Sequence, residues 1–564
     1  MKLLSTQDLN AFREKAHKAL QVQNQRILIC GETSCIARGA LLVHETLKKI
    51  ALSKDIPISV ELDVEKHESS TAIKQCGCMG FCNKGPLIKF MPSGIMYIKV
   101  KPEDCQEIIE KTVLKGEIIE RLLYVEQEKA YPLQKDIPFY KGQNRLILGE
   151  CGESSCDDIA DYIAKGGYSS LEKALFKMND EEICNEIIQS NLLGRSGGSF
   201  PTGTKWNAVR KQTESTKYIV CNADEGDPSA FMDRSIMEGI PHKMIEGMII
   251  AGIASGAKEG YVYLRAEYPH AHKRLGDAID GARELGILGS NILGSGLDFD
   301  IKISSGAGAF ICGEGSALIA SIEGGRGMPR TRPPRTVEKG LFGKPTVLNN
   351  VETFATVPYI IEHGAEHFSK IGDPKSPGTK LLSLSGNIEN AGLVEVEIGS
   401  TLRDIIFAIG GGMCENKIFK AVQIGGPCDG FLSADFLEKQ LTFQDVKKGG
   451  IVVLDQDFCM VDAARFLMTY SKNESCGKCT PCREGSKRMV EILDRIVEGD
   501  GTNEDMDMML QISETMRAVS LCGLGKAATI PVITTMQYFK EEYMAHIDSK
   551  VCPNQVCTMS KEVV

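Results

Sequence analysis

Apolar residues recur at helical spacing through residues 1–25, then close up into Arg26-Ile27-Leu28-Ile29, a short buried strand running into Cys30. Strand-like alternation returns at Ile58-Ser59-Val60-Glu61 and at Leu87-Ile88-Lys89-Phe90. Together they predict a small α/β domain over 1–120. Residues 121–145 mix charge with Pro132 and Pro138 and read as a linker. From 146 to 370, strand and helix periods alternate around glycine-rich turns, the pattern of a parallel α/β layer. Residues 371–455 are strand-rich, with Lys380-Leu381-Leu382-Ser383-Leu384, Val394-Glu395-Val396 and Ile451-Val452-Val453-Leu454. Residues 456–548 return to helical periodicity, and 549–564 form a short cysteine-bearing tail. The fold class is α/β multidomain.

Composition narrows the function. The 564 residues leave room for several domains, and 42% hydrophobic with 25% charged residues is an ordinary soluble balance. A net charge of −10 without a basic run argues against nucleic acid as a partner. The start, Met1-Lys2-Leu3-Leu4-Ser5-Thr6-Gln7-Asp8, turns polar too soon for a signal peptide, and no apolar run reaches the ~18 residues that span a bilayer. A cytoplasmic protein is expected. In a reducing compartment, 20 cysteines point to metal sites rather than disulfides.

The candidate chemistry is densest in Glu474-Ser475-Cys476-Gly477-Lys478-Cys479-Thr480-Pro481-Cys482-Arg483-Glu484-Gly485, with Cys522 further on. Four thiolates are the ligand count of a [4Fe–4S] cluster, which moves electrons singly. The rest of the chain is then expected to hold a donor that delivers electrons in pairs. Near the N-terminus, Cys30 and Cys35 precede Cys78 and Cys82. Two ligands from each of two loops suit a [2Fe–2S] rhomb; zinc is the chemical alternative, and Cys76 offers a competing spacing. Cys151-Gly152-Glu153-Ser154-Ser155-Cys156 echoes Cys30-Gly31-Glu32-Thr33-Ser34-Cys35 but lacks a second pair downstream, and reads as structural. In the tail, His546, Cys552 and Cys557 stand at spacings that suit zinc.

Four tracts occupy the middle. Gly194-Arg195-Ser196-Gly197-Gly198-Ser199-Phe200-Pro201-Thr202-Gly203-Thr204-Lys205-Trp206 offers small residues, free amides and two cations to a phosphate. It is not the dinucleotide fingerprint. The others are Cys221-Asn222-Ala223-Asp224-Glu225-Gly226-Asp227-Pro228, Gly306-Ala307-Gly308-Ala309-Phe310-Ile311-Cys312-Gly313-Glu314 and Lys344-Pro345-Thr346-Val347-Leu348-Asn349-Asn350-Val351-Glu352-Thr353.

With the 474–485 tract, these closely resemble the flavin subunit of NADH dehydrogenases, the family of the 51-kDa-type subunit of respiratory complex I. The layout looks most like the beta subunits of NAD(P)-linked [FeFe]-hydrogenases and formate dehydrogenases. The N-terminal cysteines, with Gly77-Cys78-Met79-Gly80-Phe81-Cys82 and Lys84-Gly85-Pro86, resemble a thioredoxin-like [2Fe–2S] ferredoxin domain. The resemblance implies a thioredoxin-like ferredoxin domain, a Rossmann-like FMN domain, a β-grasp (SLBB-like) domain and a C-terminal helical bundle. It places Gly194, Arg195, Gly197, Lys205, Asn222, Asp224, Gly313, Glu314, Asn349 and Asn350 around FMN. It sets Phe200, Glu225 and Asp227 against the nicotinamide nucleotide. Hydride transfer from NAD(P)H belongs to the flavin, and no side-chain acid or base is required.

Two departures stand out. Gly315 stands where the family usually has a second acid. Arg335, after Arg332-Pro333-Pro334, replaces a phenylalanine that would stack on adenine; Arg332 and Arg335 could instead meet a 2′-phosphate, so NADP use is a live expectation. In the hydrogenase-type relatives a cysteine equivalent to Cys459 joins His546, Cys552 and Cys557 in one zinc site. Several relatives continue into a two-cluster ferredoxin-like domain, whereas this sequence ends at Val564, which favours a ferredoxin-independent enzyme. The expected partners are an anaerobic [FeFe]-hydrogenase alpha subunit and a small [2Fe–2S] gamma subunit. The rival readings are electron bifurcation with ferredoxin, service to a formate dehydrogenase, a flavin-free electron-relay scaffold, and a zinc-holding interaction module.

Overall fold

The computed structural model describes residues 2–59, 62–64, 70–156, 158–557 and 559. Of the expected strand 58–61, Ile58–Ser59 is present as β2, while Val60 and Glu61 lie outside the described residues, as do 558 and 560–564 of the tail.

The first helix, Thr6–Gln21, starts where the Ser5 hydroxyl accepts from the Asp8 amide, and it buries Leu9, Phe12, Ala16 and Ala19. That face packs not on the strands that follow but into the core of the central layer, beside Tyr162 and Ile163. The Leu3 amide donates to the Leu285 carbonyl. The segment expected to open a self-contained domain over 1–120 therefore belongs to the next domain, because its apolar stripe finds its partner there.

Strands β1 (Gln23–Cys30), β2, β3 (Ser70–Cys76), β4 (Ile88–Met91) and β5 (Met96–Tyr97) form a sheet of order β2-β3-β1-β4-β5. β1 runs parallel to β3 and antiparallel to β4, so Cys30 lies opposite Cys76 at the sheet's end. Residues 121–145 are not a free linker. They form the hairpin β6 (Tyr124–Glu126) and β7 (Lys129–Tyr131) and bury Ile137, Phe139 and Tyr140. Phe139 stacks on Phe81 at 4.4 Å. Their apolar residues join one core with β1, β4 and the strand-rich segment near the C-terminal third, which is why mixed charge misread them as a tether.

The central layer holds β8 (Tyr218–Ala223), β9 (Glu259–Arg265), β10 (Asp300–Gly306) and β11 (Thr346–Asn350), all parallel, in the order β10-β9-β8-β11. The chain runs outward from β8 to β10 and then returns to β11 on the other side of β8. Ligands in open α/β sheets sit outside the carboxyl ends of the strands at such a reversal. Behind the sheet, the helices Pro241–Ser255 and Val351–His363 cross where Gly247 has no side chain; a Cβ there would lie 1.9 Å from the Phe354 carbonyl oxygen.

A short pair, β12 (Gly372–Asp373) and β13 (Ser376–Pro377), leads into a five-stranded sheet. Its strands are β14 (Thr379–Gly386), β15 (Gly392–Glu397), β16 (Phe419–Ile424), β17 (Phe431–Ser433) and β18 (Gly450–Asp455), in the order β15-β14-β18-β16-β17. β14 and β18 are parallel and the other pairs antiparallel. This sheet is tied to the central layer by the ion pair of Lys380 with Glu352, both buried, and by the Leu381 amide donating to Glu352 at 3.1 Å. The C-terminal helices Met460–Asn473, Thr480–Glu498, Asn503–Val519, Ile530–Tyr538 and Lys540–Asp548 follow, with their own core of Met, Val and Ile side chains. Pro481 in the first turn of Thr480–Glu498 and left-handed Gly499 at its end fix that helix at both ends.

Candidate functional site

The carboxyl ends of β8 and β11 carry Asn222 and Asn349–Asn350, and Asp224 follows β8 directly. The glycine-rich loop lies across this edge. The Gly194 amide pairs with the Phe200 carbonyl, the Arg195 amide donates to the Thr353 hydroxyl, and Trp206 donates to Asn349 Oδ1. The sequence-predicted flavin residues are thus brought together at the sheet reversal.

Their side chains divide into two kinds. Some are engaged by protein. Asn222 donates to the Gly313 carbonyl and accepts from the Asp224 amide; Asn350 caps the helix Val351–His363. Glu314 caps Gly315–Ile322 and pairs with Arg332 at 2.5 Å. Arg195 is 2% exposed; its guanidinium reaches the Pro377 carbonyl at 2.6 Å and lies over the Phe443 ring, which anchors the loop to the following domain. Others keep unmatched groups. Asn349 Nδ2, Asp224 Oδ2, Thr202 Oγ1 and Ser199 Oγ are buried without a partner, and Arg195, though anchored through Nη2, leaves Nε and Nη1 unpaired as well. Buried polar groups are nearly always paired, so this concentration marks a place for a polar ligand.

Lys205 carries the clearest signal. Its ammonium donates to the Leu348 carbonyl, no carboxylate pairs with it among the described residues, and burial lowers its pKa to about 8. A desolvated cation without a counter-charge fits a phosphate. Gly313 adds room: a Cβ there would come 3.4 Å from Asp224 Oδ2. The donor set fits FMN, with Lys205 toward the phosphate, and Asn349 and Asp224 toward hydroxyls or the ring edge.

Beside it, burial raises Asp224 to about 7 against the pull of Arg265, whose Nη1 stands 3.2 Å away. Burial likewise raises Glu225 to about 7, although it accepts the Asp233 and Arg234 amides, and raises Asp227 to about 6. Phe200 is 44% exposed at the mouth of the loop. Arg335 is exposed, and its amide caps a turn to Glu338.

Cys476, Cys479, Cys482 and Cys522 line one small cavity with Ile311 and Pro329 of the central domain. Glu474 accepts the Phe310 amide at 2.8 Å, and Lys478 donates to the Pro329 carbonyl at 2.7 Å. The cluster loop is therefore pinned to the tract that holds Gly313. Sequence reasoning named neither Glu474 nor Lys478 as a site residue; the charge flanking the cysteines was the available signal. Burial raises the Cys482 thiol to about 11, so ionising it requires a metal's charge.

At the N-terminal site Cys30, Cys35 and Cys78 are buried, and Cys78 and Cys82 sulfurs lie 4.0 Å apart. Gly85 is required there, since a Cβ would fall 2.7 Å from Cys35 Sγ. The Glu32 carboxylate accepts the Cys78 amide and so joins the two loops. Cys76 instead faces the echo motif: its strand end bridges Ser155, and Cys151 and Cys156 are buried behind it.

The four tail residues also converge. Cys459, His546, Cys552 and Cys557 are all buried, with ligand atoms within 4.8 Å of one another. Cys459 Sγ lies 3.6 Å from His546 Nε2 and 3.7 Å from Cys557 Sγ.

Comparison with known proteins places this geometry. Residues 187–359 match the Nuo51 FMN-binding domain, and 462–546 match the NADH-ubiquinone oxidoreductase-F iron–sulfur binding region. The chain is 50% identical over 425 residues to the NADP-reducing hydrogenase subunit HndC of Solidesulfovibrio fructosivorans, covering 74% of this chain and 86% of that one. It belongs to the family of FMN-containing NADH-dehydrogenase subunits. A chain of the NADH-quinone oxidoreductase of Escherichia coli (strain K12) is another relative, 39% identical over 398 residues, covering 69% of this chain and 89% of that one. A solved NAD+-reducing [NiFe]-hydrogenase shares the fold at TM-score 0.65 and 27% identity, covering 96% of this chain and 88% of that one. As a member of this family, the chain is an NADH-oxidising flavoprotein oxidoreductase with FMN and iron–sulfur centres. No helix among the described residues is long and apolar enough to cross a membrane.

Proposed function

We propose that this chain is the NAD(P)H-oxidising subunit of a cytoplasmic hydrogenase complex, coupling H2 and NAD(P)+. The observation that carries the flavin reading is Lys205, a partly buried cation without a counter-charge among the described residues, at the reversal of a parallel sheet. FMN, when bound, supplies the exchange between hydride and single electrons. The chain's own residues do the rest. Lys205 and the 194–204 amides hold the phosphate. Asn349 and Asp224 orient the flavin, while Asn222, Asn350, Gly313 and Glu314 shape its wall. Arg195 anchors the loop, and Gly197 keeps it free of side chains. Phe200, Glu225 and Asp227 receive the nucleotide, with Arg332 and Arg335 toward its adenosine end. Cys476, Cys479, Cys482 and Cys522 hold [4Fe–4S], and Cys30, Cys35, Cys78 and Cys82 hold [2Fe–2S]. The domain division runs as a ferredoxin-like unit, an FMN unit, a β-grasp domain over 371–455 and a helical end.

The partner in this reading is an [FeFe]-hydrogenase alpha subunit with a small [2Fe–2S] gamma subunit; a nickel-containing partner is the alternative that the solved neighbour represents. The test is H2-driven reduction of NAD+ and NADP+ by the complex purified anaerobically from its host, with and without ferredoxin, and with metal analysis. Reduction without ferredoxin is expected. Strict dependence on ferredoxin means bifurcation, and formate oxidation without H2 activity moves the partner to a formate dehydrogenase.

Cys459, His546, Cys552 and Cys557 form a zinc site in the same reading. A zinc tetrahedron with bonds of about 2.3 Å to sulfur and about 2.0 Å to nitrogen has edges of roughly 3.5–3.8 Å, close to the separations above. His546 Nδ1 donates to the Glu542 carbonyl at 2.7 Å, which turns the Nε2 lone pair toward the sulfurs. Metal analysis should find one zinc per chain that is lost in Cys557→Ser; pure protein without zinc contradicts the site.

A further inference from the structure

The crevice that holds Asp227 has a second wall, and it comes from the five-stranded sheet domain. Lys448 lies in the turn just before β18, and its ammonium pairs with Asp429 at 2.7 Å. Asp429 is itself held by the Gly426 amide at 2.7 Å. The stem of Lys448 leans on the glycine-rich loop of the central domain: a Cβ on Gly197 would come 3.3 Å from Lys448 Cε. Across from it, Asp227 uses Oδ1 on the amide and hydroxyl of Ser229, while its Oδ2 is buried without a partner. Gly426 stands between the two; its Cβ would meet Asp227 Oδ2 at 2.9 Å and Lys448 Cδ at 3.4 Å. A Cβ on Gly450 would also approach Asp227 Oδ2, at 3.3 Å. Three glycines from two domains thus let the Lys448 stem and Asp227 Oδ2 pack close together, which sets one cation and one unsatisfied carboxylate oxygen at the seam between the domains.

That chemistry matches one stretch of a nicotinamide nucleotide. The carboxylate accepts from a ribose hydroxyl, and the ammonium meets a phosphate carried by the same ribose. We propose that Lys448 is a nucleotide-phosphate-binding residue, released from Asp429 when NAD(P) enters, so that the sheet domain completes a site otherwise built by the central domain. This rests on the placement of the nucleotide against Phe200, Glu225 and Asp227. Asp429 is the internal counter-ion: it keeps the half-buried ammonium paired before the nucleotide enters, and it competes with the incoming phosphate. The phosphate is either the diphosphate bridge or the 2′-phosphate of NADP.

The test is calorimetric titration of the flavin-loaded protein with NAD+ and, separately, NADP+, for the wild type, Lys448→Met and Asp429→Asn, with flavin content and cluster EPR recorded for each. Lys448→Met is expected to weaken binding about tenfold or more, the loss of a charge-assisted hydrogen bond, with flavin and clusters retained. Equal loss for both nucleotides assigns the diphosphate; a loss confined to NADP+ assigns the 2′-phosphate. Asp429→Asn is expected to bind more tightly than wild type, because the competing charge is gone, and this outcome stands even where Lys448→Met does not fold. Unchanged binding in Lys448→Met, or weaker or unchanged binding in Asp429→Asn, overturns the role of Lys448. A flavin-loaded wild type that binds neither nucleotide overturns the nucleotide reading itself.

Discussion

Asp224 shows how single residues at this site trade stability for a ligand. Its carboxyl is nearly inaccessible, and burial lifts its pKa from 3.8 to about 7. The folded chain therefore holds this proton more tightly than the unfolded chain. Below about pH 4 both states are protonated and no penalty exists; as pH rises through about 7 the folded state must bury a charge and loses stability. In flavin-free protein, wild type should fall behind Asp224→Asn as pH rises from 4 to 8, by at most about 4 kcal/mol. Melting temperatures across that range check it, and a constant gap between the two proteins contradicts it. At this scale the sequence was most readable for cysteines, because ligand count and spacing are local. It was least readable for Lys448 and Glu474, whose partners, Asp429 in one case and the Phe310 amide in the other, stand in tracts or domains that a motif does not span.

Between elements, the contacts that set the crevice are few and buried. Lys380 on β14 pairs with Glu352 in the first turn of Val351–His363, and both side chains are 1% exposed. Removing one partner strands a buried charge, while replacing both with apolar residues does not. Lys380→Met should therefore cost about 3–5 kcal/mol, and Lys380→Met with Glu352→Leu should recover much of it. Thermal unfolding of the three proteins decides this; a double variant no better than the single one contradicts it. The Gly247 crossing is stricter. Gly247→Ala forces the two helices apart and should cost at least the roughly 1–3 kcal/mol of an overpacked core, read as a lowered melting temperature, whereas unchanged stability contradicts the close approach. Strands such as β4, β14 and β18 were legible from alternation and β-branched runs. The docking of Thr6–Gln21 onto the central layer was not, because periodicity gives an apolar face without saying which neighbour covers it.

For the whole molecule, the two largest cores each cross a boundary between the domains that the sequence suggests. The N-terminal sheet, residues 121–145 and the strands 379–455 share one, and the N-terminal helix shares the other with the central layer. The loops of Cys78 and Cys476, proposed above to hold the clusters, both pack against the central layer. The [4Fe–4S] loop touches the flavin tract directly through Glu474 and Lys478, so the pair-to-single electron conversion and the first single-electron carrier are adjacent. Cys479→Ser should abolish the [4Fe–4S] EPR signal and electron delivery to the partner protein. FMN content and NADH oxidation by ferricyanide, which can take electrons at the flavin, should persist. Loss of flavin together with the cluster contradicts this division of labour.

The most direct test of the account is an anaerobic titration of the purified holoprotein with NADH, following flavin absorbance and cluster EPR in the same samples. The account predicts extractable FMN that bleaches with NADH, together with two reducible iron–sulfur signals, one lost in Cys479→Ser and the other in Cys78→Ser. A colourless protein, or one whose flavin and clusters ignore both NADH and NADPH, contradicts it.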